Sequence, residues 1–219
     1  MLEMKNVTKT FGGFNALEDL SLTVPRGAVY GLVGPNGAGK STTIRAILDL
    51  IRLDGGSVEV LGLSREERKD PAWREQIGVV FDVGHIPDLL TAAEMDKVMR
   101  GIYRQWDSQT YFGYLKQFKL AKDKKYKDFS RGMKMKLSIA VALSHGAKLL
   151  ILDEPSLGLA PNIVDDILLV AKTLVEETNI SVLLVEQDIT KALATADRGY
   201  VVENGHINLS GSAAELAAN

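Results

Sequence analysis

A glycine-rich run, Gly34-Pro35-Asn36-Gly37-Ala38-Gly39-Lys40-Ser41-Thr42, follows the apolar stretch Ala28-Val29-Tyr30-Gly31-Leu32-Val33. It fits G-x-x-x-x-G-K-[ST] at every fixed position. Glycines let successive backbone N–H groups point inward with no Cβ in the way. Those amides, with the N-terminus of the following helix, form an anion site. Lys40 then reaches the β- and γ-phosphates of a nucleotide, and the Ser41 hydroxyl is placed for Mg²⁺. A plain turn before a helix leaves the Lys-Ser pair unexplained. The rival dinucleotide fingerprint fails, because the glycines are spaced G-x-x-G-x-G rather than G-x-G-x-x-G.

A second set of groups lies far downstream. Lys148-Leu149-Leu150-Ile151-Leu152 is an apolar strand that ends in Asp153-Glu154-Pro155. An acid emerging from a buried strand is costly unless something compensates it. Mg²⁺ held at the phosphates compensates Asp153 as a metal-side carboxylate, and Glu154 is then the base that orients the attacking water. The alternative is a pair of exposed loop acids.

The elements that must position these groups follow from apolar periodicity. Period-2 runs over 2–7 and 20–24, with a turn at Gly12-Gly13, predict antiparallel strands. Residues 28–33, 148–152 and 181–185 read as strands buried on both faces. Short strands are expected at 58–60 and 76–81, with a loop through Gly84 and Pro87. A helix begins near Lys40, carries Ile44, Ile47, Leu48 and Ile51, and is stopped by Asp54-Gly55-Gly56. Helices are predicted from Thr91 to about Leu120, with Met95, Val98, Met99 and Ile102 on one face and a second stretch carrying Tyr111, Tyr114, Leu115 and Phe118. Further helices cover about 130–146, 161–178 and the tail from Ser212. Asn204-Gly205 marks a hairpin turn. Buried strands alternating with helices imply an α/β fold with a mostly parallel core sheet, and the phosphate-loop motif after its first buried strand makes the expected fold that of a P-loop NTPase. The antiparallel N-terminal strands form a β subdomain. The helical stretch of about 85–145 reads as a subdomain inserted into a single sheet domain spanning 1–219.

Composition narrows the classes. The chain has 219 residues, a net charge of -2, 46% apolar and 25% charged residues, which is ordinary for a globular domain. With no cysteine there is no disulfide, thiolate metal site or cysteine nucleophile. No window approaches 18 uninterrupted apolar residues, and Met1 to Lys9 lacks a signal-peptide apolar region. The near-neutral balance gives no global pull toward nucleic acid. His85, His145 and His206 are too scattered for a metal site. Trp73 and Trp106 read as packing anchors. Lys116, Lys119, Lys122, Lys124, Lys125, Lys127, Arg131, Lys134 and Lys136 form either a solvated helical face or a surface for an anionic membrane or partner.

Together these motifs resemble the ATPase domain of ATP-binding cassette (ABC) transporters over nearly the whole chain. Phe129-Ser130-Arg131-Gly132-Met133 resembles the family signature Leu-Ser-Gly-Gly-Gln; Ser130 and Gly132 match, and Arg131 and Met133 depart. The resemblance implies that this segment opens a helix and caps the γ-phosphate of ATP bound to a second subunit. A Ser N-cap and a Gly beside free helix N–H groups suit that role. Phe11 sits where the family stacks an aromatic on adenine, with Phe14 as the alternative stacker and a core Phe as the plainer reading. Residues to about 150 resemble ABC-2 type exporters, and residues from about 156 resemble branched-chain amino-acid uptake ATPases.

Three further departures bear on mechanism. Asp82 stands where the family usually has Gln, and a carboxylate there still suits Mg²⁺. Gln187 stands where the family usually has His. It can donate a hydrogen bond to the γ-phosphate but cannot become a cation or pass a proton. Ala160 replaces an Asp and removes a polar contact between subunits. The resemblance implies a cytoplasmic ATPase, peripheral on the inner face of the cell membrane, that binds ATP and Mg²⁺. It would dimerise head to tail with a second ATPase subunit and work with integral membrane transporter subunits, without nucleic acid. Gln187 and Ala160 motivate an alternative, a nucleotide-gated binding protein with little hydrolysis. A third reading is an ABC ATPase acting on DNA or ribosomes.

Overall fold

The structure, a computed structural model, describes residues 1–81 and 86–218. The chain opens with strands β1 (Leu2–Phe11) and β2 (Phe14–Val24), which pair antiparallel, and β4 (Gly55–Val60) joins the other side of β1. Leu2, Met4 and Val7 on β1 and Leu20, Leu22 and Val24 on β2 are buried, so this sheet presents one apolar face, as period-2 spacing requires.

The second sheet comprises β3 (Val29–Val33), β5 (Ile77–Val80), β6 (Leu149–Asp153), β7 (Ser181–Glu186), β8 (Arg198–Glu203) and β9 (His206–Ser212). Its order is β5-β6-β7-β3-β8-β9, parallel throughout except where β9 returns antiparallel on β8. Every residue of β3 and β7 is buried, the expected state of parallel strands covered on both faces. The covering helices are α1 (Lys40–Ile47), α2 (Ala92–Ile102), α3 (Ser108–Gln117), α4 (Arg131–Leu143), α5 (Pro161–Thr178), α6 (Ile189–Thr195) and α7 (Ala213–Ala217). One apolar cluster joins the parallel sheet to α2–α6, and another fills the space between the two sheets around α1.

Local chemistry explains most boundaries. Thr91 and Glu94 form a reciprocal capping box at the start of α2, satisfying two otherwise unpaired donors. Pro161 opens α5 and left-handed Asn179 closes it, the pairing that suits each residue's backbone. Helix α1 ends at Ile47, earlier than expected, because Asp49 turns into the left-handed region. Gly55 and Gly56 therefore do not stop the helix; they begin β4. The expected helical stretch from 91 breaks at Tyr103, where α2 ends, and resumes at Ser108. Met95 is buried, whereas Val98 and Ile102 are exposed, so the apolar face of α2 is narrower than its spacing suggests. Helix α6 and a 3₁₀ turn at Pro71–Gln76 add to the expected elements. The loop through Gly84, together with Asp82 and His85, lies outside the described residues.

The lysine-rich segment is partly used in packing. Lys124 lies over the Phe129 ring, Lys134 over the Tyr126 ring, and Lys136 pairs with Asp166 at 2.9 Å. Trp73 is buried between the Arg68 and Arg74 guanidinium groups. Trp106 donates its indole N–H to Asp96 at 2.9 Å. Both behave as packing anchors.

His145 ties the end of α4 to the approach to β5. Its ring stacks on Tyr103 with centroids 4.1 Å apart, and its Nδ1 lies 2.7 Å from the Glu75 carbonyl oxygen. A carbonyl only accepts, so Nδ1 carries the proton. Burial depresses the imidazole pKa, while the Glu75 carbonyl and carboxylate pull the other way. The neutral ring therefore contributes stability that is complete above the ordinary imidazole pKa of about 6.5 and is lost as pH falls through the lower folded value. Melting temperature should drop between pH 7 and pH 5, and His145→Gln should make that drop shallower.

Candidate functional site

The register of the parallel sheet sets the site. Val33 pairs with Glu186, and Asp153 pairs with Val185, so β6, β7 and β3 end at one level. Their carboxyl ends carry Asp153-Glu154, Glu186-Gln187 and the loop 34–39. Ligands of open α/β sheets bind at this end.

The loop is held from several sides. Gly34 N–H donates to the Glu186 carbonyl at 3.2 Å, and Ala38 N–H donates to Pro35 O at 3.2 Å. The Asn204-Gly205 turn braces it, with Gly205 N–H donating to Ala38 O at 2.9 Å. A Cβ on Gly34 would lie 2.2 Å from Val202 O, so only glycine lets the loop pass beside β8. Gly39 has φ +109, and a Cβ there would lie 2.7 Å from Ala16 O. The start of β2 thus packs directly on the phosphate loop.

Lys40 is 5% exposed. Its Nζ donates to Gly34 O at 2.7 Å and Pro35 O at 3.1 Å, and lies 3.4 Å from Glu154 Oε1. The structure therefore brings together two groups far apart in sequence. Glu154 has φ +48, a conformation that costs about 1–2 kcal/mol for a residue with a Cβ. Its N–H donates to Val185 O at 2.8 Å, and its carbonyl accepts from Leu157 N–H at 3.0 Å. Gln187 is exposed and shares an open cleft with Glu154, Ser156 and Lys191.

Ser41 opens α1 with its side chain exposed, and Asp153 is half-buried at the end of β6. Among the described residues no group of three or more His, Cys, Asp and Glu could hold a metal by themselves. One hydroxyl and one carboxylate beside a phosphate site are hard oxygen donors that leave further positions for phosphate oxygens and water. That donor set fits Mg²⁺.

Phe11 and Phe14 face each other across the β1–β2 turn and are 46% and 61% exposed. Neither is a core residue. Ser130 caps α4, its Oγ accepting Met133 N–H at 3.3 Å. Gly132 is buried where a Cβ would lie 2.4 Å from Ile163 Cγ2, so glycine lets α4 close on α5. The Arg131 guanidinium lies against Gly158 in the loop after Glu154, where a Cβ would come 2.1 Å from its Nη1. Ala160 provides no side-chain cap for α5.

Glu186 was not anticipated as a site residue. It is 2% exposed, and its carboxylate accepts Ser156 N–H at 2.8 Å and Ser156 Oγ–H at 2.9 Å. Burial raises its pKa, with the nearby Glu154 charge adding to the rise; hydrogen bonds from Ser156 and from the Gln187 N–H oppose it. The signal was present in the sequence: an acid directly after a buried strand, as at Asp153.

A glycine-rich anion loop after the central strand of a parallel sheet, with its lysine against a carboxylate that follows β6, two strands away, defines a P-loop nucleotide-binding ATPase. The family model for ABC transporters matches residues 17–157. The chain is 34% identical to the daunorubicin/doxorubicin resistance ATP-binding protein DrrA of Streptomyces peucetius, covering 100% of this chain and 67% of that protein. It is likewise 34% identical to the high-affinity branched-chain amino acid transport ATP-binding protein BraG of Pseudomonas aeruginosa, covering 100% of this chain and 96% of that protein. Among solved structures, the dimeric cassette MJ0796 in a post-hydrolysis state with ADP and Pi superposes with a TM-score of 0.84 at 26% identity, covering 97% and 99% of the two chains. CbiO1 from Clostridium perfringens gives 0.87 at 26% identity, covering 100% and 90%. The chain belongs to the ABC transporter family and is an ATP-binding ATPase of that family. Likeness to a drug-resistance ATPase and to a branched-chain amino-acid ATPase is found together, as the mixed motifs suggested.

Two glycines of the loop separate packing from conformation. Gly37 has φ +80 with nothing within 4 Å of a Cβ, so Gly37→Ala should cost about 1–2 kcal/mol from backbone strain alone. Gly34→Ala drives a Cβ into a backbone carbonyl and should cost more. Thermal melts of the two variants, with ATP titrations, should show the larger loss for Gly34→Ala.

Proposed function

We propose that this chain is the ATP-hydrolysing subunit that powers a membrane transporter, and that its residues divide the work as follows. The observation that supports it most is the approach of Lys40 Nζ to Glu154 Oε1, 3.4 Å apart at the mouth of the phosphate loop. Backbone amides of Asn36, Gly37, Gly39 and Lys40 face the phosphates, joined by those of Ser41 and Thr42 at the start of α1. Gly34, Pro35 and Ala38 shape the loop, the Gly34 and Ala38 N–H groups being held by Glu186 O and Pro35 O. Lys40 offsets charge on the β- and γ-phosphates. Glu154 orients water in line with the γ-phosphorus and takes its proton as the bond to the leaving ADP oxygen breaks. Gln187 donates a hydrogen bond to the γ-phosphate. Phe11 stacks on adenine.

Ser41 and Asp153, with Asp82, would hold Mg²⁺. When bound, the ion supplies positive charge that neutralises the phosphate oxygens. Ser130 and Gly132 cap the γ-phosphate of ATP held by a second ATPase subunit, so ATP closes a head-to-tail dimer and hydrolysis opens it. The segment of about 85–145 serves as an inserted helical subdomain that carries the Ser130 end to the partner.

The partners are integral membrane subunits. No helix among the described residues is long and apolar enough to cross a membrane. BraG is named for amino-acid transport, and a further relative, LptB of Escherichia coli, for lipopolysaccharide export. Such a subunit works at the cytoplasmic face of the membrane, with its cargo set by the membrane partners.

Glu154→Gln should keep ATP binding, lower steady phosphate release by about 10²–10⁴-fold and accumulate an ATP-bound dimer on gel filtration. Unchanged turnover would remove Glu154 from this role. Lys40→Ala should abolish nucleotide binding, and chelating Mg²⁺ with EDTA should stop phosphate release. A steady rate that Lys40→Ala removes separates this enzyme from a nucleotide-gated binder.

A further inference from the structure

Between Glu154 and the start of α5 the chain makes a turn that the phosphate chemistry does not itself explain. Glu154 sits at φ +48, a backbone state that a residue with a Cβ leaves unless its surroundings hold it. Two contacts from β7 do so. Val185 O accepts the Glu154 N–H at 2.8 Å. Two residues further on, the Glu186 carboxylate grips Ser156 by both its N–H and its hydroxyl. Ser156 is itself 7% exposed, so the pair lies out of water, where the low local dielectric strengthens each hydrogen bond.

Glu186 has a second connection. Its main-chain carbonyl accepts the first amide of the phosphate loop, Gly34 N–H, and its peptide leads directly into Gln187. One buried residue thus touches the phosphate loop, the turn bearing Glu154 and the base of Gln187. We infer that Glu186 is a positioning residue: with Ser156 it holds the left-handed turn at Glu154, so that the Glu154 carboxylate stays against the Lys40 ammonium. This rests on the reading of Glu154 as the hydrolytic base. Glu186 touches no reacting atom in this scheme and acts through Glu154.

A positioning role makes a specific kinetic pattern. Nucleotide is held chiefly by the loop 34–42, so losing the Glu186–Ser156 grip should lower kcat and spare ATP affinity. Ser156→Ala keeps the backbone donor and loses the hydroxyl. Glu186→Ala loses both acceptor bonds. Glu186→Gln keeps an oxygen for the Ser156 N–H, while its NH₂ can donate to the Ser156 hydroxyl.

The test measures phosphate release, ATP affinity and melting temperature for Glu186→Ala, Glu186→Gln, Ser156→Ala and the double alanine variant, with Glu154→Gln as reference. Glu186→Ala should lower kcat about tenfold or more with ATP affinity changed less than about threefold. Ser156→Ala should lower kcat about threefold, and the double variant should match Glu186→Ala within about twofold, the non-additivity of a contacting pair. Glu186→Gln should recover most of the lost rate. If Glu186→Ala does not fold, Ser156→Ala and Glu186→Gln carry the comparison. Wild-type kcat in Ser156→Ala or in folded Glu186→Ala, additive losses, or an equal loss of ATP affinity would overturn the inference, provided Glu154→Gln is inactive. An active Glu154→Gln would instead overturn the base assignment on which it rests.

Discussion

Parallel pairing among β6, β7 and β3 is the constraint on which the site depends. Hydrogen bonds between parallel strands fix where each one ends relative to its neighbours. Here Asp153 is level with Val185 and Val33 with Glu186. A shift of one residue in β6 would turn Asp153 and Leu152 to opposite faces and carry Glu154 away from Lys40. The apolar side chains Leu150, Leu152, Leu183, Leu184 and Val185, all fully buried, enforce that register from both faces of the sheet. The meeting of Glu154 with Lys40 is therefore a product of ordinary core packing.

The electrostatics are as tightly arranged. Lys40 is nearly buried, yet its ammonium meets two carbonyl oxygens and a carboxylate, so its charge is compensated. Glu186 is more deeply buried and is compensated by hydrogen bonds alone. Its neighbour Glu154 has the same sign, and that repulsion adds to the rise in the Glu186 pKa. Two carboxylates thus lie near each other with different partners: Glu154 faces an ammonium, and Glu186 faces backbone and hydroxyl donors.

Much of this was legible in the chain itself because it was local. The phosphate loop, the buried strands before it and before Asp153, and helix α5 from Pro161 to Thr178 each carry their signal within a few residues. The Asn204-Gly205 turn is local too, and positive φ at both residues is what that dipeptide suits. What was not legible depended on distant partners or on single backbone states. Helix α1 stops early through one left-handed residue, Asp49, which no periodicity announces. Helix α6 has 7 residues, too few to show a period. Glu186 carries the same local mark as Asp153, an acid at the end of a buried strand, but what it does there is set by Ser156, 30 residues away. The exposure of Phe11 and Phe14 likewise depends on where the β1–β2 turn stands against the rest of the fold.

The turn at Gly205 has a consequence for the order of assembly. Its N–H reaches Ala38 O in the phosphate loop, and its carbonyl accepts the Glu18 N–H from β2. One residue, through the two peptide groups that flank it, thus joins two segments that lie far upstream in sequence. Contacts this far apart in sequence carry a large loop-closure entropy and form late. During synthesis the β3–α1 segment must wait, without this brace, until the hairpin around Gly205 has emerged. Full support of the phosphate loop is thereby a property of distant segments joined, not of the β3–α1 unit alone.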